Sequence, residues 1–186
     1  KLRKALREMD ITRETKRAER RRHKVPSVAI VGYTNAGKSS LLNRLTGAGV
    51  LVDDALFATL DPTTRRAAAA DGRVYTLTDT VGFVRHLPHD LVEAFASTLE
   101  ESTQADLLVH VVDGSDPDPI GQIDAVRAVL ADIGAAEIPE LIVVNKVDRA
   151  PAEALSMLQT RYHDAMFVSA RTGKGMQELQ ATIESL

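Results

Sequence analysis

A glycine-rich loop near the start of the sequence holds the residues best suited to bind phosphate groups. Gly32 and Gly37 stand five positions apart and are followed directly by Lys38 and Ser39. The glycines allow successive backbone N–H groups to point at phosphate oxygens, and a following helix adds the partial positive charge of its N-terminus. A lysine here reaches the β- and γ-phosphates, and a serine hydroxyl binds Mg²⁺. The pattern predicts a nucleoside triphosphate site formed by Gly32, Tyr33, Thr34, Asn35, Ala36, Gly37, Lys38 and Ser39.

The tetrapeptide Asp79-Thr80-Val81-Gly82 indicates where a metal ion and the terminal phosphate would bind. It follows a predicted strand, which places Asp79 to hold Mg²⁺ through water. Gly82 offers a backbone N–H that can approach the γ-phosphate closely because no side chain intervenes. The next residue, Phe83, stands where many nucleotide hydrolases with this motif carry a glutamine that orients the attacking water. Whether Phe83 faces the site or packs in the core, we expect slow turnover that a partner or another loop accelerates.

The tetrapeptide Asn145-Lys146-Val147-Asp148 selects the base. Guanine presents adjacent N–H donors at N1 and N2, and the carboxylate of Asp148 can accept both. Adenine presents an acceptor at N1, which the carboxylate would repel. Lys146 can lay its methylene stem along the base, and Asn145 can tie this loop to the phosphate loop. The tetrapeptide therefore predicts guanine, and it disfavours an ATP-using kinase or ATPase.

Two other loops are expected to complete the site. One follows the last predicted strand and offers a backbone N–H to guanine O6; it contains Ser169, Ala170 and Arg171. The other spans residues 57–64 and supplies a second hydroxyl to Mg²⁺. Spacing does not choose among its candidates Thr59, Thr63 and Thr64, each of which could instead be a turn or capping residue. The nucleotide contacts predicted from this loop are Phe57, Ala58, Thr59, Leu60 and Asp61.

The elements that must position these loops alternate between strand and helix. Short apolar runs predict strands at 28–31, 107–112, 141–144 and 166–168, and the Asp71-Gly72 turn signal favours two more, at 65–70 and 73–78. Helical periodicity predicts helices at 39–46, 90–103, 119–134, 151–160 and 174–186. Asp71-Gly72 is a signal for a two-residue hairpin between the second and third strands. The order predicts an α/β P-loop NTPase fold: a six-stranded, mostly parallel sheet with one antiparallel edge hairpin and helices on both faces.

The composition of this 186-residue chain is that of a globular protein, with 44% hydrophobic and 26% charged residues. It contains no cysteine, which excludes disulfides and thiolate metal sites. No apolar run approaches the roughly 20 residues that a membrane span requires. We therefore expect a cytoplasmic protein without a membrane span.

Positive charge is concentrated at the start of the chain. Residues 1–24 contain 11 Lys and Arg against four Asp and Glu, although the whole chain carries a net charge of −3. Leu2, Leu6 and Met9 form a narrow apolar seam with helical spacing. This segment is either a contact for RNA or another polyanion, or a solvated helix face. We divide the chain into a basic helical linker, 1–24, and a nucleotide-binding domain, 25–186.

The motifs together resemble those of the HflX family, a relative of the Obg GTPases within the translation-factor-related group. The order of the four motifs covers residues 25–186, and three stretches narrow the resemblance: 31–39, 56–65 and 79–84. The basic helix before the domain also matches the layout of that family. The resemblance implies a longer protein in which an N-terminal domain precedes this sequence, and residues 1–24 resemble the end of the helical linker of that domain.

The resemblance implies a ribosome-associated GTPase that hydrolyses GTP to GDP with Mg²⁺. Family members associate with the large ribosomal subunit and help to split or rescue stalled ribosomes, which implies a cytoplasmic protein associated with the ribosome or a membrane surface. DNA is not an expected partner, and we expect a monomer. The alternative function is a nucleotide-dependent binding module with negligible hydrolysis.

The resemblance also assigns roles to individual residues. It favours Thr59 over Thr63 and Thr64, so that the metal ligands are expected to be Ser39, Thr59 and Asp79. Lys38, Thr59 and Gly82 are expected to act in hydrolysis. Asn35 resembles the asparagine through which some relatives bind K⁺ beside the phosphates. The alternative is an asparagine that simply adopts a tight loop conformation.

Overall fold

The computed structural model describes residues 25–47, 63–84 and 102–185. The basic linker 1–24, residues 57–61 with Thr59, and nearly all of the predicted helix 90–103 lie outside the described residues. The strands within these residues are β1 (Ser27–Gly32), β2 (Thr63–Ala68), β3 (Val74–Asp79), β4 (Leu107–Asp113), β5 (Glu140–Asn145) and β6 (Met166–Phe167). The helices within the same residues are α1 (Lys38–Thr46), α2 (Pro119–Asp132), α3 (Ala152–Arg161) and α4 (Met176–Glu184).

The strands form one sheet in the order β2-β3-β1-β4-β5-β6. Only the pairing of β2 with β3 is antiparallel; every other neighbouring pair is parallel. The predicted fold class is therefore confirmed, including the antiparallel hairpin at one edge. The carboxyl ends of β1, β3 and β5 meet at the same edge of the sheet, where ligands of such folds bind. These ends are Gly32, Asp79 and Asn145, the first residues of the three motif loops.

The apolar core lies on both faces of the sheet. On β1, Val28 and Ile30 belong to a core with α1 and α4, whereas Ala29 and Val31 belong to a core with α2. This alternation explains the continuous apolar run in the sequence, since a strand covered on both faces has no polar side. A third group of apolar side chains packs α3 through Leu158. The central strand that leads into the phosphate loop is thus held from both sides.

The turn between β2 and β3 differs from the predicted two-residue hairpin. The Ala69 N–H donates to the Arg73 carbonyl at 2.8 Å, and the Gly72 N–H donates to the Ala69 carbonyl at 2.9 Å. Three residues therefore lie between this closing pair, and Gly72 adopts the left-handed conformation at φ 85° that ends such loops. The two-residue interpretation is wrong because it placed the Asp71-Gly72 pair alone in the turn.

Helix boundaries follow local capping chemistry. The Asp118 side chain accepts from the Gly121 N–H at 3.0 Å, and Pro119 stands in the first turn of α2. The predicted helix from residue 174 begins instead at Met176, because Gly173 and Gly175 have φ of 88° and 70°. No helix among the residues described by the structure combines the length and apolar character needed to cross a membrane.

Candidate functional site

The phosphate loop connects β1 to α1 and is shaped by close backbone approaches. A Cβ atom at Gly32 would collide with the Val111 carbonyl, and one at Gly37 would collide with the Asn145 amide. Gly37 has φ 95° and Asn35 has φ 58°, both in the left-handed region. The two glycines are therefore needed for contact with neighbouring strands as well as for the curl of the loop.

Lys38 is buried beneath this loop and is 6% exposed. Its Nζ donates to the Tyr33 carbonyl at 3.1 Å. Burial lowers the pKa of Lys38 to about 8, the charge of Asp79 opposes that shift, and the charge of Lys146 adds to it. A desolvated ammonium of this kind gains strongly from an anion brought into contact with it.

Gly82 approaches the phosphate loop from the end of β3. A Cβ atom there would lie 2.8 Å from Thr34 Cα and 3.2 Å from Lys38 Nζ. No other residue type fits without movement of the loop, since backbone contacts closer than 3.0 Å are not tolerated. The predicted partners of the terminal phosphate, Lys38 and Gly82, are thus brought together.

Ser39 and Asp79 form a pair of oxygen donors at the start of α1. The Ser39 hydroxyl donates to Asp79 Oδ2 at 2.5 Å, and Asp79 is fully buried. A hydroxyl and a carboxylate are the oxygen ligands that Mg²⁺ takes in proteins. In residues 25–47, 63–84 and 102–185 no group of three or more His, Cys, Asp or Glu could hold a metal. The pair fits an ion that also binds phosphate oxygens and water.

The candidate threonines for the second metal hydroxyl are only partly visible. Thr59 lies outside the described residues. The Thr64 hydroxyl lies 2.9 Å from the Thr78 hydroxyl across β2 and β3, an interaction within the sheet. Thr63 is the strand residue opposite Asp79 in the antiparallel register. The choice among these residues stays a prediction.

Phe83 packs in the core. Its side chain is fully buried with Ala29, Val31 and the apolar residues of α2. Its N–H donates to the Gly32 carbonyl at 3.1 Å, and its carbonyl accepts from the Thr34 N–H at 2.8 Å. Of the two alternatives left open by the sequence, the structure selects packing. No side chain at this position is available to orient water.

The two residues before Gly82 also serve the fold. The Thr80 hydroxyl donates to the Ile30 carbonyl at 2.8 Å in a fully buried position. Val81 is 1% exposed and belongs to the core covered by α2. Their side chains fix the path of the segment, which leaves the backbone of this segment to face the phosphate loop.

Asn145 joins three loops with one buried amide. Its Nδ2 donates to the Ala36 carbonyl of the phosphate loop at 3.0 Å, and its Oδ1 accepts from the Ala170 N–H at 3.0 Å. Asn145 is 2% exposed. The donor and the acceptor of the amide are both used, so that neither a carboxylate nor an aliphatic side chain reproduces the arrangement. The predicted tie to the phosphate loop is present, and the link to Ala170 is additional.

Lys146 reaches back to the phosphate loop through a contact that sequence reasoning missed. Its Nζ lies 2.6 Å from the Asn35 carbonyl and 2.6 Å from Asp113 Oδ2. Asp113 ends β4, which pairs with β5 so that Asp113 lies opposite Asn145. The signal in the sequence was a carboxylate directly after an apolar strand, at the same edge of the sheet as the other motifs.

Asp148 is held by two neighbours from the loop after β6. The Ser169 hydroxyl donates to Oδ1 at 2.6 Å, and Arg171 Nη2 lies 2.8 Å from Oδ2. The hydrogen bond from Ser169 is the main cause that lowers the pKa of Asp148, with a further contribution from Arg171. Asp148 is therefore an ionised acceptor. Val147 is buried and packs in the core with Leu158.

Comparison with known proteins identifies the family of this arrangement. The model of the family described as "50S ribosome-binding GTPase" matches residues 27–146. GTPase HflX of Caldanaerobacter subterraneus is 50% identical over 179 residues, which are 96% of this chain and 41% of that protein. GTPase HflX of Escherichia coli is 49% identical over 177 residues, covering 94% of this chain and 42% of that protein. The chain thus spans about two fifths of the length of these relatives.

A solved structure shows the same architecture. A GTP-binding protein from Sulfolobus solfataricus in complex with GDP aligns with a TM-score of 0.66 and 29% identity, over 96% of this chain and 57% of that chain. The chain belongs to the 50S ribosome-binding GTPase family and is an HflX-type GTP-binding domain.

Proposed function

We propose that this domain binds GTP and hydrolyses it to GDP and phosphate with Mg²⁺. The observation that carries the proposal is the buried Asn145 amide, which joins the phosphate loop at Ala36 to the loop after β6 at Ala170. Through this link a phosphate-binding loop and the guanine-selecting Asp148 belong to one rigid site. A phosphate loop alone would serve any nucleoside triphosphate, whereas the joined arrangement favours a guanine nucleotide.

The phosphate chain would be held by residues 32–39. Backbone N–H groups of the loop and the ammonium of Lys38 are the donors, and a bound triphosphate would offset the burial that lowers the pKa of Lys38. Ser39 and Asp79 would hold Mg²⁺, with Thr59 as the additional ligand implied by the family. When bound, Mg²⁺ neutralises charge on the phosphate oxygens. The loop residues Phe57, Ala58, Leu60 and Asp61 are proposed to line the same phosphates.

The base would be read by Asp148, which accepts from the N1 and N2 donors of guanine. Ser169 fixes one carboxylate oxygen and leaves that oxygen a second lone pair for the base. The Lys146 stem is proposed to lie along the ring, beside the backbone of Val147. The Ala170 N–H donates to Asn145 Oδ1 at 3.0 Å, and the backbone of the loop 169–171 is proposed to approach guanine O6.

Hydrolysis is proposed to be slow in the isolated domain. Phe83 is buried, and the groups of the described residues expected near the terminal phosphate are Lys38 and the Gly82 backbone, to which the family resemblance adds Thr59. None of these is a general base for water. We propose that the large ribosomal subunit, with its RNA and proteins, completes the site in a cytoplasmic, ribosome-associated switch. The basic residues within 1–24 offer a contact for RNA.

A second cation is proposed at Asn35. This residue adopts the left-handed conformation, φ 58°, within the phosphate loop, and its carbonyl accepts from Lys146 Nζ at 2.6 Å. K⁺ there would add positive charge where charge develops during hydrolysis. The test is the GTPase rate in KCl against NaCl at equal ionic strength. Equal rates would remove this part of the proposal.

The competing function is a nucleotide-dependent binding module without significant hydrolysis, which the buried Phe83 favours. Single-turnover hydrolysis of radiolabelled GTP, with and without large ribosomal subunits, separates the two. We expect a slow rate alone and a rate at least about tenfold faster with subunits. Hydrolysis that stays negligible in both conditions, with GTP bound, would support the binding module. Hydrolysis as fast alone as with subunits would contradict the partner requirement.

A further inference from the structure

Asp113, which ends β4, belongs to none of the nucleotide motifs but is locked against them. Its Oδ2 lies 2.6 Å from Lys146 Nζ, and the two side chains are 15% and 16% exposed. Its Oδ1 accepts from the Ser115 N–H at 2.9 Å and from the Ser115 hydroxyl at 2.6 Å. Both carboxylate oxygens therefore act as acceptors for fixed donors.

The turn that carries Asp113 is itself fixed against the guanine loop. The Gly114 N–H donates to the Asn145 carbonyl at 2.9 Å. A Cβ atom at Gly114 would lie 2.8 Å from Val144 Cγ1, so that the turn approaches β5 as closely as a backbone can. The backbone that carries the Asp113 carboxylate is thus positioned by the pairing of β4 with β5.

Lys146 connects the fixed carboxylate of Asp113 to the phosphate loop. Its ammonium contacts Asp113 on one side and the Asn35 carbonyl, at 2.6 Å, on the other. Among the residues that the structure describes, Lys146 and Asn35 are the two non-glycine residues with positive φ, 63° and 58°. This conformation is unfavourable for a lysine unless surrounding contacts impose it, whereas asparagine tolerates it. The hydrogen bond from Lys146 Nζ to the Asn35 carbonyl therefore joins the guanine loop to the phosphate loop.

We propose that Asp113 is a positioning residue that holds Lys146 against the Asn35 carbonyl and so couples the guanine loop to the phosphate loop. This inference rests on the proposed guanine-nucleotide function of the site. Asparagine does not replace Asp113, because one amide orientation turns NH₂ toward the ammonium of Lys146 and the other turns it toward the Ser115 N–H. Glutamate keeps the charge and can still reach Lys146, although it loses the Ser115 geometry.

The test is a double-mutant cycle with GDP affinity as the readout, measured by titration of a fluorescent GDP analogue. Asp113→Ala should raise the Kd about tenfold in the wild-type background and by less than about twofold in the Lys146→Ala background. Asp113→Glu should recover part of the affinity that Asp113→Asn loses. Asp124→Ala, an exposed carboxylate on α2, is the matched control for loss of one negative charge.

The outcomes separate a positioning role from a purely structural one. Equal factors in both backgrounds, or an Asp113→Asn variant that binds as tightly as wild type, would overturn the proposal. Thermal unfolding of every variant identifies loss of fold. The unfolding temperature of Asp113→Ala is compared with that of Lys146→Ala, which removes the other partner of the same ion pair. If the unmodified domain binds no guanine nucleotide, the proposed function fails. If it binds and the cycle is additive, only the inference about Asp113 fails.

Discussion

The guanine side and the phosphate side of the site are built in different ways. On the guanine side, Asn145, Lys146 and Asp148 are each held by side-chain hydrogen bonds or ion pairs to neighbouring elements. On the phosphate side, the segment 80–83 is fixed by core packing, backbone hydrogen bonds and the Thr80 hydroxyl, and Phe83 is buried away from the loop. In the proposed function, base recognition would therefore be assembled within the domain, whereas the buried Phe83 side chain would contribute nothing to the orientation of water. This difference supports the proposal that nucleotide binding is intrinsic and that fast hydrolysis requires a partner.

The largest effect is expected from Lys38→Ala on the phosphate side. This change removes the only ammonium buried beneath the phosphate loop among the described residues, and GTP hydrolysis should fall about 100-fold or more. The control is Lys174→Ala, because Lys174 follows Gly173 in a second Gly-Lys pair but is exposed at a helix-starting turn. Steady-state GTPase assays measure both variants. Equal losses in the two would contradict the assignment of the phosphate site.

Asn145→Ala should remove the hydrogen bonds that join the guanine side of the site to the phosphate side. The substitution leaves the Ala36 carbonyl and the Ala170 N–H without their buried partner, which lowers the free energy of unfolding by about 1–3 kcal/mol. GDP affinity should fall about tenfold or more, since both loops lose their common support. Urea unfolding and GDP titration measure the two effects. Gln159→Ala, which removes an exposed side-chain amide on α3, is the control. Unchanged GDP affinity would show that the loops are not coupled through this side chain.

Glu140 begins β5, and the guanine loop 145–148 starts where that strand ends. A Glu140 variant therefore tests whether the stability provided at the start of β5 and the GDP affinity of the guanine loop are independent. Burial opposes ionisation of Glu140, but hydrogen bonds from His110 and Arg127 outweigh it and lower the pKa to about 2. Because the folded-state pKa lies below the ordinary glutamate value of 4.5, this stabilisation is complete above that value and is lost as pH falls toward about 2.

The corresponding variant is Glu140→Gln. We expect a free energy of unfolding lower by about 2 kcal/mol near neutral pH, a smaller loss of stability on acidification, and unchanged GDP affinity. Urea unfolding as a function of pH, with GDP titration at neutral pH, measures these. A large loss of GDP affinity would mean that the two ends of β5 are not independent.

The smallest effect is expected at Arg171. Its guanidinium contacts Asp148 Oδ2 and presents N–H donors like those of the guanine N1–N2 edge, so that it competes with the base for the carboxylate. The side chain is 79% exposed, and an exposed ion pair contributes little. Arg171→Ala should therefore tighten GDP binding by only about two- to fivefold. Weaker binding would instead show that the Arg171 side chain supports the base.

The motif loops of this fold and the tie of Asn145 to the phosphate loop could be predicted from the sequence, but other contacts between distant elements could not. The phosphate loop follows from the Gly32–Ser39 spacing because a strand, a glycine curl and a helix are set by neighbouring residues. Asp113 was missed because its contact with Lys146 depends on the pairing of two strands 33 positions apart. The β2–β3 turn was mispredicted because the Ala69–Arg73 pair, which sets the loop length, is not encoded in the Asp71-Gly72 dipeptide alone.

The choice between packing and site exposure for Phe83 required the structure, since both alternatives suit an aromatic residue after Gly82. Burial of the side chain with Ala29 and Val31 settles it. The metal-ligand role of Thr59 stays a prediction, because that residue lies outside the described part of the chain. The sequence therefore predicted the proposed nucleotide-binding residues better than it predicted residues, such as Asp113, that hold those residues in place.

The central claim is that Asp148 selects guanine within a site joined by Asn145. Asp148→Asn tests it most directly, by titration of the variant and the wild type with GDP and with xanthosine diphosphate. The wild type should prefer GDP, and the variant should lose GDP affinity about 100-fold and prefer the xanthosine nucleotide, whose additional carbonyl accepts from the amide. An Asp148→Asn variant that keeps the preference of the wild type for GDP would contradict the account.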